Sequence, residues 1–280
     1  MKQSSPLLGK LWRYAVWGTT IFFLLNVVLL IGAVAVNSVA TRWFGTLLPQ
    51  GFTLHWYAQA WNTFQLGPVL WVTAQVVGAV VFLSILFGVP AAYAIARVNF
   101  RGKQWALLIF LLPMMVPPVT YGIPMATVMY EVGLAGTLTG VILANLVPAL
   151  PFVILVMTPF IEQIDPNLEN AARIFGANTR QYFQTVLLPL LVPGMLAAGL
   201  LVLVRTISMF ELTFFTAGPD TQTLVVALYY AVFSTGVRAT QEIDAMAMIY
   251  MVVTLVWVLI ALQFVSPTQL VSRVKAEPQE

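Results

Sequence analysis

The sequence predicts an all-α polytopic membrane protein with six transmembrane helices, and three observations predict it. Composition is the first. Of 280 residues, 60% are hydrophobic and only 8% carry charge, whereas a soluble domain carries roughly 25% charged residues. Charges this sparse do not cover a water-facing surface, so lipid is the solvent. The second observation is a set of charge-free runs: Tyr14–Val36, Gly67–Ala96, Gln104–Tyr130, Val132–Ile161, Gln181–Val204 and Ala245–Ser272. Each accommodates a span of about 20 residues across a hydrocarbon core about 30 Å thick. The third is their texture. In lipid the backbone must satisfy its polar groups within a helix or a closed barrel, and these runs are too long and too uniformly apolar for barrel strands.

Composition also excludes. Six spans use most of the length and leave no room for a soluble catalytic domain. There is no cysteine, so disulfides and thiolate metal sites are excluded, and the single histidine, His55, rules out a multi-histidine metal cluster. No catalytic residue, metal or cofactor is expected. The formal charge of +3 does not argue for nucleic acid; it follows from topology. Lys2, Lys10 and Arg13 precede the first span. Arg97, Arg101 and Lys103 lie between the second and third, Arg173 and Arg180 between the fourth and fifth, and Arg273 and Lys275 after the sixth. The other connections hold only Arg42 and Arg238. The positive-inside rule then puts both termini in the cytoplasm. The expected division is a cytoplasmic tail over 1–13, a six-helix transmembrane domain over 14–264 and a cytoplasmic tail over 265–280.

Taken in order, the first span is read as a retained helix. Ser38–Ala40 resembles a signal cleavage site, but the apolar run before it exceeds the usual h-region. In Asn37–Leu66, Trp56, Tyr57 and Trp61 suit the outer membrane interface, with His55 beside them as an exposed residue or, alternatively, a proton relay. The third span carries Pro113, Pro117, Pro118 and Pro124. Proline removes a backbone donor and clashes with the preceding turn, so this helix is expected to be kinked or broken, and Pro148 and Pro151 should do the same to the fourth. Such breaks either line a pathway or are packing kinks. Arg205 and Glu211 sit in or near the outer half of the fifth span. Intramembrane charges are functional candidates by default; the alternative is a structural ion pair or a snorkelling residue. Six residues apart on an ideal helix, they lie about 120° from one another and do not pair directly. Thr221–Val237 is apolar but short, and is read as a re-entrant outer helix rather than a seventh span. Asp220, Glu242 and Asp244 read as solvated or interfacial.

One polar segment interrupts the apolar chain, at about 162–189. Asp165–Pro166 reads as a helix start. Leu168, Ala171, Ala172 and Phe175 then recur on one face, and Glu169 and Arg173 stand i, i+4 on another. Gly176 ends the helix with positive φ. Asn178 and Gln181 cap a second helix whose apolar face is Tyr182, Phe183, Val186 and Leu187, and Pro189 marks the turn into the fifth span. The small residues Ala171 and Ala172 let another surface come close. An amphipathic helix on the inner leaflet is the alternative, but larger apolar residues and more Lys/Arg would be expected there.

The segment from Glu169 to Gly176, E-N-A-A-R-I-F-G, followed by V-L-L-P from Val186 to Pro189, resembles the EAA loop of binding-protein-dependent ABC importer permeases. The family pattern is roughly E-A-A, three residues, G, nine residues, I-x-L-P. Glu169, Ala171, Ala172, Gly176, Leu188 and Pro189 match; Asn170 and Val186 depart. The resemblance implies a type I ABC importer permease (MetI-like) fold in a bacterial inner membrane. It also implies that Glu169, Ala171, Ala172, Phe175, Gly176, Leu188 and Pro189 couple to separate ATPase subunits. Two ATPase chains, a second permease (a distinct homologous chain or a second copy), an extracytoplasmic solute-binding protein and membrane lipid are the implied partners. The chain has no phosphate-binding loop of its own and is not expected to be an enzyme. The stretch F-E-L-T-F-F-T-A-G-P-D-T-Q-T-L resembles the polyamine, iron, thiamine and phosphonate branch. Glu211 with Phe210, Phe214, Tyr229 and Tyr230 suits a cation, and Arg205 suits an anion; a polyamine-like organic cation is favoured. The competing classes are an ion-coupled secondary transporter working without an ATPase, for which no inverted repeat is seen, and an intramembrane enzyme, for which no catalytic constellation stands out.

Overall fold

The computed structural model describes residues 6–46, 48–233 and 238–264. Among these, every regular element is a helix, with one isolated antiparallel bridge between Ala40 and Phe52. The tails carrying Lys2, Arg273 and Lys275 lie outside the described residues, as do 234–237. Residues group into two compact units, 1–64 with 231–251, and 65–230 with 252–280.

The first unit begins with α1, Pro6–Val39, whose most apolar window is 0% buried within the chain. Its few hydroxyls stay satisfied in an apolar medium: Thr19 and Thr20 donate to the Ala15 and Val16 carbonyls at 2.9 and 2.8 Å. After α1 the chain doubles back, with Thr41 N–H on the Gly51 carbonyl at 2.9 Å. It then enters α2, His55–Thr63. The interfacial aromatics tie this corner together. Trp56 donates its indole N–H to the Ala40 carbonyl at 2.8 Å, and the Tyr57 hydroxyl meets Ser38 Oγ at 2.8 Å. His55 is exposed. Asn37 donates to Asp244 at 2.6 Å and Gln59 donates to Glu242 at 3.0 Å, on the first turns of α12, Thr240–Phe264. Of the three acids read as solvated or interfacial, Glu242 is not solvated: it is 3% exposed. Its place in the first turn of α12 and the Gln59 amide offset part of the loss of water, while Oε1 is buried without a hydrogen-bond partner among the described residues. Asp220 is exposed and Asp244 is half-buried.

The second unit holds α3, Leu66–Arg97; α4, Lys103–Met115; α5, Pro118–Glu131; and α6, Leu138–Glu162. Next come α7, Asn167–Ile174; α8, Thr179–Gln181; a π segment, Tyr182–Leu187; α9, Leu188–Ile207; α10, Glu211–Thr216; and α11, Leu224–Phe233, of which 224–230 belong to this unit. Its core joins α3, α6 and α9 through Val76, Val80, Val153, Met157, Leu191 and Val202. Close approach of α3 and α6 depends on Gly88, where an added Cβ would stand 2.8 Å from Val153 Cγ1. With lipid outside, such small-residue contacts supply the packing that the hydrophobic effect supplies in water.

The prolines act in two ways. In the third span Val116 is extended (ψ 133°), as a residue before proline prefers, and Pro117 is too (ψ 134°). Two adjacent non-helical residues break the span, and α4 and α5 meet at 99°. The fourth span, expected to be kinked or broken, is not broken: α6 runs on through Pro148, Pro151 and Pro159. Pro148 and Pro151 are buried, and Asn145 inside this helix donates to the Val141 carbonyl at 2.9 Å and to Thr213 Oγ1 at 3.1 Å. Packing around the buried prolines holds the helix where its own ladder lacks donors. Among the described residues, five single helices are long and apolar enough to cross a membrane, and the bent α4–α5 pair makes six if counted as one span. In α11, ten residues rise about 15 Å, half the hydrocarbon thickness. Its first N–H is taken by Thr73 Oγ1 of α3 at 2.9 Å.

Candidate functional site

The first site is the polar hairpin. Asp165 Oδ1 accepts from the Asn167 N–H at 2.9 Å, so α7 opens one residue beyond Pro166. The helix closes in a Schellman motif. Gly176, with φ 82°, donates to the Arg173 carbonyl at 3.0 Å, and Ala177 donates to the Ala172 carbonyl at 3.0 Å. The second helix opens in a capping box: Gln181 N–H donates to Asn178 Oδ1 at 2.8 Å, and Asn178 N–H donates to Gln181 Oε1 at 2.9 Å. Both turns of the hairpin are thus locked by local hydrogen bonds.

No turn occurs at Pro189. From Thr179 to Ile207 the chain is one helix of 29 residues, with the π segment inside it. Pro189 has no N–H to give the preceding turn, and just before it the ladder shifts: Leu188 N–H bonds the Phe183 carbonyl, five residues back. The wider turn brings Tyr182 and Leu187, five apart, onto one buried face and swings Phe183 outward, although the α-helical spacing placed it with them.

Side-chain placement corrects the expected contact stripe. Ala171 is exposed, but Ala172 packs against the protein's own core, so its small size serves internal approach. The exposed apolar residues are Phe175, 90% exposed, and Ile174, 83% exposed, which the periodicity had not singled out. Leu188 is half-buried and Pro189 exposed. Glu169 lies on α7, but its side chain is outside the described residues.

The second site is the far end of the same long helix. Arg205 and Glu211 do not share an ideal helix, as the spacing argument assumed: α9 ends at Ile207, and Glu211 opens α10. Both are half-buried, and the Arg205 guanidinium lies 5.5 Å from the centre of the Phe152 ring. Phe210 and Phe214 stack at 5.1 Å, and Tyr229 meets them at 4.8 and 5.2 Å, with Tyr230 5.8 Å from Phe214. Tyr121 of α5 packs on Met209 and Leu212 across the break, its hydroxyl buried with no partner. Buried Thr213 meets Asn145 there. Sequence reasoning missed Tyr121 and Asn145, although a lone amide in a charge-free run was a visible signal.

Residues 84–276 match the family described as "Binding-protein-dependent transport system inner membrane component". The chain belongs to this family. It is 35% identical over 122 residues to the trehalose transport system permease protein SugB of Mycobacterium tuberculosis, a match covering 44% of each chain. Two further relatives are matched over 61% and 65% of their length. The spermidine/putrescine permease protein PotC of Escherichia coli is 25% identical over 253 residues, 90% of this chain and 93% of PotC. In fold, the chain resembles a subunit of a crystallised bacterial ABC transporter that imports the acidic polysaccharide alginate. The TM-score is 0.72 at 20% identity, covering 94% of this chain and 98% of that one. The permease is a multi-pass inner-membrane component with the type I importer fold.

Proposed function

We propose that this permease forms half of the translocation pathway of an ATP-driven importer and takes its power stroke through the hairpin at 162–189. Two ATPase subunits, a second permease and an extracytoplasmic solute-binding protein complete the assembly, and both termini of this chain are cytoplasmic. ATP hydrolysis belongs to the partners. One observation carries this reading. The locked hairpin presents Ile174 and Phe175 to the outside and runs without a break into the 29-residue helix that ends at the Arg205–Glu211 site. That helix rises about 43 Å, so a push at one end is delivered to the other. Glu169, Ala171, Phe175 and Gly176 form or shape the contact, with Ile174. Ala172, Leu188 and Pro189 fix the hairpin to its bundle.

The solute pauses at the break between α9 and α10, against Arg205, Phe210, Glu211 and Phe214. A polyamine-like organic cation is favoured. Glu211 follows Phe210 of a four-ring cluster directly in the chain, ring faces attract cations, and PotC is a polyamine permease by name. Relatives named for trehalose and alginate carry neutral and acidic solutes, so the fold alone does not select the charge.

The test uses the absence of native cysteine. Phe175→Cys in the assembled complex is expected to crosslink to an engineered cysteine on the ATPase, with a yield that changes between nucleotide-free and ATP-vanadate states. Capture of the ATPase in neither state overturns the coupling reading.

A further inference from the structure

The hairpin has two roots of different stiffness. Its C-terminal root is the continuous helix Thr179–Ile207. Its N-terminal root is a short non-helical link, 163–166, between α6 and α7. A stroke delivered to α7 would be absorbed in that link unless something braced it.

Arg97 meets this need. It is the last residue of α3 and half-buried. Its Nη2 donates to the Ile161 carbonyl at 3.0 Å and also to the Ile164 carbonyl. Ile161 lies in the last turn of α6, and Ile164 lies within the link, next to the Asp165 that caps α7. Both isoleucines are buried. The Ile161 carbonyl also accepts the Ile164 N–H at 3.1 Å, and at the end of a helix a cation on the last carbonyls is favoured by charge-assisted hydrogen bonding and by the negative end of the helix dipole. One guanidinium thus binds the end of α3 to the end of α6 and to the link itself. Higher in the same pair, Gly88 and Val153 leave no slack between the two helices.

We propose that Arg97 is the positioning residue that clamps the hairpin's N-terminal root to α3, so that hairpin, α6 and α3 move as one body. This rests on the coupling reading above. Without the clamp, the hairpin transmits through α8–α9 alone and turns about the link.

The experiment places spin labels at Phe87→Cys on α3 and Asn170→Cys on α7, both exposed, in the complete importer in lipid nanodiscs. With Arg97 present, the label–label distance distribution is expected to be narrow and the same in nucleotide-free and ATP-vanadate states. With Arg97→Met it broadens and shifts between the states, and Arg97→Lys, which keeps a donor cation at the position, restores part of the narrowing. A carbonyl-satisfying residue with no mechanical role would leave the nucleotide dependence untouched. An Arg97→Met distribution that is narrow and identical in both states overturns the clamp. Phe175→Cys crosslinking in the same backgrounds separates the two ideas. Capture of the ATPase with an unchanged distribution removes the clamp alone; no capture in any background removes the coupling reading and the clamp's role in transmission with it.

Discussion

Gly176 shows how much one residue decides. At φ 82° it holds a conformation that costs an L-residue about 1–2 kcal/mol, and the Schellman bonds to Arg173 and Ala172 depend on it. Gly176→Val should therefore deform the hairpin without touching the apolar spans. Immunoblots of membranes are expected to show normal insertion while ATP-dependent uptake collapses, and Glu169→Lys, which reverses charge on α7, should behave alike; wild-type uptake by both variants would remove the coupling role. At the other end of the lever, Glu211→Gln keeps the shape of the side chain and deletes its charge. For a cationic solute, half-saturation for uptake should rise about tenfold, corresponding to ~1.4 kcal/mol, whereas a neutral or anionic solute should be indifferent to the change. Radiolabelled putrescine uptake at graded concentrations reads this directly. The caps at Gly176 and at Asn178–Gln181 were legible in the sequence because their partners lie within one turn. Tyr121, Asn145 and Arg97 were not, because their roles depend on Met209, Thr213 and Ile164, which only the tertiary fold brings near.

Between elements, the same residue type gave opposite results. Adjacent Pro117 and Pro118 broke the third span, whereas Pro148 and Pro151, a turn apart and buried, left α6 whole. Proline content announces a weakened ladder, and the neighbours decide whether it opens. The π segment before Pro189 was equally hidden, since a one-residue change in ladder register leaves no compositional mark. α6 packs closely on α3 at Gly88. Gly88→Val would force methyl groups into Val153, and overpacking of this kind costs about 1–3 kcal/mol. The detergent-solubilised variant should unfold at lower temperature in a thermal scan, while Gly18→Val, in α1 with open space around it, should not. An equal melting temperature for both would mean that α3 and α6 separate more easily than their packing implies.

For the whole molecule, the rival to an ATPase-driven permease is a transporter that works alone on an ion gradient. Broken helices and buried charge occur in both. The hairpin bears on the choice, because Ile174 and Phe175 are two large apolar residues left almost fully exposed on a polar turn, a surface that the proposed ATPase contact would cover. In water each exposed side chain of this size forgoes roughly 1.5–3 kcal/mol of burial, a cost that a docked partner removes. The chain reconstituted alone in liposomes, under sodium, proton or potential gradients, should therefore carry no solute. Adding the second permease, the ATPase subunits, the loaded receptor and ATP should start uptake, and chelating magnesium should stop it. Gradient-driven uptake by the lone chain would leave the exposed pair without a function and make the hairpin an ornament of descent, whereas dependence on the ATPase makes it the point at which chemical work enters the membrane.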